Sequence, residues 1–186
     1  MRRALAIDDA SFGDHPIVAI SLNNLARLLL EIHRFGEAEP LMRRALAIDE
    51  ASLGDNHPSV AISLNNLGSL LQASDRICEA ELLMRRALAI HEASFGDDHP
   101  EVAISLSNLA RLLHATGRFA EAEPLTRRLL VVFLKFERAT GHAHQYRDVS
   151  IRNYQTLLSS MGRDRGGIRL ALRDAFREAG LPAIGT

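Results

Sequence analysis

Apolar residues recur along this chain at two spacings, one helical and one much longer. Val60, Leu64, Leu67 and Leu71 stand at i, i+4, i+7 and i+11, the stripe of an amphipathic helix. A second stripe follows in Ala80, Leu83, Met84, Ala87, Leu88 and Ile90, with Arg85, Arg86 and Glu92 on its polar side. Pro58 suits a first helical turn, where its missing N–H would have no partner anyway. Gly96-Asp97-Asp98 supplies turn-forming residues to end the second helix. The link between the stripes, Ser74-Asp75-Arg76, is short, and short links make neighbouring helices antiparallel. The spacing predicts an antiparallel helix pair over 57–98.

The longer spacing multiplies that pair. Pro16, Pro58 and Pro100 recur at intervals of 42 residues, as do Asn24, Asn66 and Asn108, and Arg34, Arg76 and Arg118. A fixed period of this size predicts a repeat array, in which hairpins that cannot bury their apolar faces alone do so by stacking. Full copies are expected over 15–56, 57–98 and 99–140. Residues 1–14 match the back half of a second helix, so the array is expected to open within a repeat, leaving Leu5 and Ile7 partly bare. Such an edge fits either a longer array or self-association into a homodimer. After 140 the pattern loosens: Val149, Ile151, Asn153, Leu158 and Gly162 echo the third copy at an offset of 45 residues. This makes 141–162 a degenerate first helix. Ile168, Ala171, Leu172, Ala175, Phe176 and Ala179 then form one apolar stripe, so 163–180 is expected to close the array as a capping helix. The run Leu129–Phe136 is apolar nearly all round, which calls for burial on more than one side. The inserted loop and the fourth repeat are expected to cover it; a dimer contact is the alternative.

Composition narrows the function. Over 186 residues, 47% are hydrophobic and 24% charged, and the net charge is −1, so no global pull toward nucleic acid or an acidic membrane is expected. Cys78 is the single cysteine, which excludes an internal disulfide. The longest apolar run, Leu129 to Leu134, is far short of the roughly 20 residues of a membrane span, and the N-terminus has no secretory core. A cytoplasmic location is the expectation.

Small residues occupy the places where paired helices must approach: Ala26, Gly68 and Ala110 on the first helix, Ala38, Ala80 and Ala122 on the second. With the phrases LNNLA, EAEPL, RRALAI and GDDHP, this pattern resembles the tetratricopeptide repeat, in its 42-residue kinesin-light-chain-like form, over roughly residues 1–138. The resemblance implies an all-α, right-handed α-solenoid of antiparallel helix pairs, with first helices lining a concave face. It differs in putting leucine for the usual bulky aromatics, and in having His33 and Asp75 where Gly117 shows the expected glycine.

By position, the resemblance offers that face Ile20, Asn23, Asn24 and Arg27; then Ile62, Asn65, Asn66 and Ser69; then Ile104, Ser107, Asn108 and Arg111; and from the fourth copy Arg152, Asn153 and Thr156. An Asn side chain offers both donor and acceptor, and so can pair with an extended peptide backbone. The bland alternative is that Asn24, Asn66 and Asn108 tie helices together. Arg27, Arg111 and Arg152 would favour carboxylate-bearing peptides. The two-carboxylate clamp of some relatives needs basic residues where this chain has Asn23, Asn65 and Ser107, so a chaperone-tail clamp is not expected.

Arg43-Arg44, Arg85-Arg86 and Arg127-Arg128, preceded by Glu37, Glu39, Glu79, Glu81, Glu121 and Glu123, read as solvated i, i+4 pairs. His15, His57 and His99, a repeat apart, read as caps rather than metal ligands. His142 and His144 form a local pair without a completing ligand. Cys78 aligns with small packing positions and is expected to be inert. No phosphate loop, nucleophile elbow or metal cluster appears. The sequence therefore predicts no enzyme and no cofactor, but a protein-interaction scaffold with a peptide ligand and neither nucleic acid nor membrane as partner. The alternative is a self-associating regulatory or structural segment of a larger signalling protein.

Overall fold

The computed structural model describes residues 15–182, in which eight α-helices follow one another. They are α1 (Pro16–Glu31), α2 (Phe35–Leu53), α3 (Pro58–Ala73), α4 (Ile77–Phe95), α5 (Pro100–Ala115), α6 (Phe119–Thr140), α7 (Arg147–Ser160) and α8 (Arg165–Glu178). The chain divides into two compact units, unit 1 up to Ser94 and unit 2 from Phe95.

The same devices start and stop each pair. Before α1, α3 and α5, the Nδ1 atoms of His15, His57 and His99 accept the backbone N–H two residues on, at 3.2, 3.1 and 3.1 Å. This satisfies one of the donors a helix start leaves open. The first helices end in a left-handed residue with a pair of backward hydrogen bonds. After α1, Arg34 N–H donates to Leu29 and His33 N–H to Leu30, at 2.8 and 3.0 Å. Arg76 to Leu71, Arg118 to Leu113 and Arg163 to Leu158 repeat the longer bond at 2.9, 2.9 and 3.0 Å. The left-handed residue is glycine at 117 and 162, but His33 and Asp75 adopt φ of 58° and 61°. The geometry is kept where the glycine is not, at a steric cost.

In unit 1, Val18, Ala19 and Leu22 of α1 pack on Ala45 and Ile48 of α2. Val60, Ala61 and Leu64 of α3 pack on Ala87 and Ile90 of α4, with Leu46 reaching in from α2. The small positions are tight: a Cβ at Gly68 would stand 3.0 Å from Met84 Cγ.

In unit 2 every residue from Leu129 to Leu134 is buried. Leu130, Val131 and Leu134 share one core with Tyr154 and Leu158 of α7 and with Ala175 and Phe176 of α8. The inserted segment closes over the end of α6: the His144 ring stacks on Phe133 at 4.4 Å and meets Phe136 edge-on at 5.1 Å. Asp164 caps α8 by accepting Gly167 N–H at 2.7 Å, and Arg127 ties α6 to Glu178 at 2.6 Å.

Candidate functional site

The candidate residues of unit 1 split into two groups. Asn23 is turned into the body: its amide donates to Ser63 Oγ at 2.8 Å, and Ser63 donates in turn to Asp49 Oδ2 at 2.6 Å. This relay joins α1, α3 and α2, so it holds one helix pair to the next. Its carboxylate is 4% exposed, and burial pushes the Asp49 carboxyl above its ordinary range, against the hydrogen bond from Ser63. Asn65 is likewise buried, at 4% exposure. Asn24, Asn66 and Ser69 are only partly buried, and Arg27 is exposed, as are Ile20 and Ile62.

Unit 2 gathers its candidates around a cleft. Two adjoining hollows of about 200 and 310 Å³ share Ser107, Leu129 and Asn153. Leu129 and Phe133 of α6 make the floor. Ser107, Asn108 and Arg111 stand on the α5 side, Asn153 and Thr156 on the α7 side. His114 lies at one end, and Tyr146 and Val149 at the other. No carboxylate lines either hollow, so Arg111 leaves the cleft with a positive cast. Arg152 is exposed on α7 but lines neither. Chemically this is an apolar trough between two amide side chains, with a guanidinium near one end.

The second-helix arginines do more than pair along their own helices. Arg43–Glu39 and Arg85–Glu81 are the expected i, i+4 pairs, at 2.8 Å each. Arg86 instead reaches Glu50 of the preceding copy at 2.7 Å, and Arg76, in the linker before α4, reaches Glu39 at 2.7 Å. Arg128 and Lys135 hold the loop before α5 through Asp97 and Asp98, at 3.1 and 2.6 Å. Cys78 is exposed rather than packed.

Among the described residues no group of three or more His, Cys, Asp or Glu could hold a metal ion. No helix among them is long and apolar enough to cross a membrane. The proposed self-association edge at Leu5 and Ile7 lies outside the described residues.

Asp49 and Ser63 were not foreseen. The position of Asp49 becomes His91 and Phe133 in the later copies, so nothing at the repeat spacing marks it, whereas Ser63 recurs as Ser21 and Ser105 and that column was the available signal.

Comparison with known proteins agrees with this architecture. The tetratricopeptide repeat family model matches residues 1–51, 33–93 and 78–130. No curated protein sequence matches the chain. Among solved structures, a kinesin-light-chain-like protein of Podosopora anserina with nearly identical TPR-like repeats is 25% identical, with a TM-score of 0.71 over 96% of this chain and 83% of that one. A variant of the same protein gives 24% identity and a TM-score of 0.72, over 95% of this chain and 82% of that one. BtubC (BKLC) from P. vanneervenii is 21% identical, with a TM-score of 0.76 over 96% of this chain and 70% of that one. Repeats of this kind mediate contacts between proteins. With family matches running from residue 1 to 130, and helix pairs, caps and joints repeating at the same interval, the chain belongs to the tetratricopeptide repeat family and its repeats are kinesin-light-chain-like.

Proposed function

We propose that this chain is a non-catalytic scaffold and that the cleft between α5 and α7 holds an extended peptide segment of a partner protein. One observation carries the reading: an apolar floor of Leu129 and Phe133 lies between Asn108 and Asn153, which stand on different helices. A peptide main chain carries one donor and one acceptor per residue, and an Asn amide can meet either. Side chains of an extended strand alternate in direction, so an aliphatic one can enter the trough while the backbone is held from both sides. Arg111 adds a preference for a carboxylate near the His114 end. On unit 1, Asn24, Asn66, Arg27 and Ser69 are a further set of candidate contacts. Asn23 is left out, because its amide already serves Ser63.

The test is a titration of the full chain with peptides selected from a random extended-peptide array. The double variant Asn108→Ala/Asn153→Ala should weaken binding at least tenfold with the helical circular dichroism unchanged. Binding that survives both substitutions places the peptide elsewhere.

A further inference from the structure

The last helix reverses a charge that the earlier copies keep. With helix starts aligned, Phe35, Ile77, Phe119 and Arg165 correspond. Arg169 then stands in the place of Glu39, Glu81 and Glu123. In unit 1, Glu39 accepts from Arg43 one turn on and from Arg76, the linker residue of the following pair, at 2.7 Å. Glu39 is thus an acceptor through which one pair grips the next. On α8 the corresponding position offers a cation.

That cation does not stand alone. Arg165, Arg169, Arg173 and Arg177 follow one another at four-residue intervals, about 6 Å apart along the axis. Arg177 has Asp174 at 3.4 Å, whereas Arg165, Arg169 and Arg173 have no carboxylate partner among the described residues. Like charges one turn apart work against a helix, and Arg165 in the first turn opposes the positive end of the helix dipole. Arg165, Arg169 and Arg173 thus gain no ion pair within α8. Beside the row, toward α7, lies a hollow of about 360 Å³ lined by Gln155, Arg165, Ile168, Arg169 and Leu172.

We infer that this face of α8 is a docking site for an acidic helix of a partner protein. Carboxylates at i and i+4 of such a helix repeat at about 6 Å, matching the arginine row, and an aliphatic side chain between them fills the hollow over Ile168 and Leu172. Another copy of this repeat is a poor fit, because its linker arginine would meet Arg169 instead of a glutamate. A phosphate backbone would use the cations and leave the apolar hollow empty. The surface is separate from the α5–α7 cleft and does not depend on it.

Fluorescence anisotropy with the full chain tests this at low salt. The probe is a labelled 18-residue helical peptide with Glu at i, i+4 and i+8 and Leu on the flank. Controls replace every Glu by Gln or by Lys, and a single-stranded oligonucleotide is run beside them. The Glu peptide should bind at least tenfold more tightly than the Gln peptide. R169E/R173E should lose the Glu peptide by at least tenfold and gain the Lys peptide, and R169Q/R173Q should lose the first without gaining the second. Equal binding of Glu and Gln peptides overturns the proposal. So does Glu-peptide binding that either double variant leaves intact, or an oligonucleotide bound as tightly as the Glu peptide.

Discussion

Ser63 Oγ lies 2.6 Å from Asp49 Oδ2, inside the joint between the first two helix pairs. A carboxylate at 4% exposure is costly unless its charge is met, and here the Ser63 hydroxyl and, more weakly, His57 meet it only in part. Burial therefore raises the Asp49 carboxyl above its ordinary value of 3.8. An acid whose folded pKa exceeds its unfolded one binds more protons in the native state, so stability falls as pH rises between the two values and is flat above. Asp49→Asn should remove that falling limb and raise the melting temperature at neutral pH. Melting curves from pH 3.5 to 7.5 check it; a limb that persists in the variant locates its source elsewhere.

Glu39 works in the opposite sense. Hydrogen bonds from Arg76 and then Arg43 hold its carboxyl below the ordinary value of 4.5. Its contribution is complete above that value and is lost as pH falls through the depressed one. Arg76→Ala should lower stability modestly at neutral pH, and less at high salt, because the pair is solvated. Urea unfolding at low and high ionic strength reads both effects.

Gly68→Ala should stabilise the chain, by roughly 0.5–1 kcal/mol, through helix propensity. The added Cβ would stand 3.0 Å from Met84 Cγ and 3.3 Å from the Ala80 carbonyl oxygen, so Met84 has to shift and α4 has to give by a few tenths of an ångström. The first copy already has Ala26 and Met42 at these positions, both buried. A drop in the urea midpoint would mean that Met84 lacks the freedom Met42 has.

At the hairpin joints, Asp75→Gly should gain about 1 kcal/mol by relieving a left-handed conformation at φ 61°, and Gly117→Ala should lose a similar amount at φ 74°. Thermal melts of the two single variants should therefore move in opposite directions.

Tyr154 is 1% exposed and donates to Glu123 Oε1 at 2.6 Å, fixing α7 against α6. Tyr154→Phe should cost about 1.5 kcal/mol, the range for a hydrogen bond to a charged acceptor. Chemical denaturation measures it, and peptide binding in the adjacent cleft should weaken less than stability does.

Helix starts and pairings were legible because Pro16, Pro58 and Pro100 and the apolar stripes repeat in phase, and repetition separates a signal from chance. The histidine caps were legible for the same reason. The roles of Asn23 and Asn24 were harder to divide: adjacent helical positions differ by about 100° around the axis, and a stripe seen in sequence does not say which of them meets the next pair. Asp49 was illegible because it occurs in one copy only. The long ion pairs, Arg76 with Glu39 and Arg86 with Glu50, join residues 37 and 36 apart. Sequence shows their i, i+4 neighbours first.

The unit 1 joints also bear on how such a gene can change length. Asn23 meets Ser63, Glu39 meets Arg76 and Glu50 meets Arg86, each a bond from one copy to its successor. Excising residues 57–98 would bring Ser105, Arg118 and Arg128 to the places of Ser63, Arg76 and Arg86. Asn23 would again meet a serine hydroxyl, and Glu39 and Glu50 would again meet arginines. A change of length by one whole repeat at this joint therefore keeps a hydroxyl for Asp49 and arginines for Glu39 and Glu50.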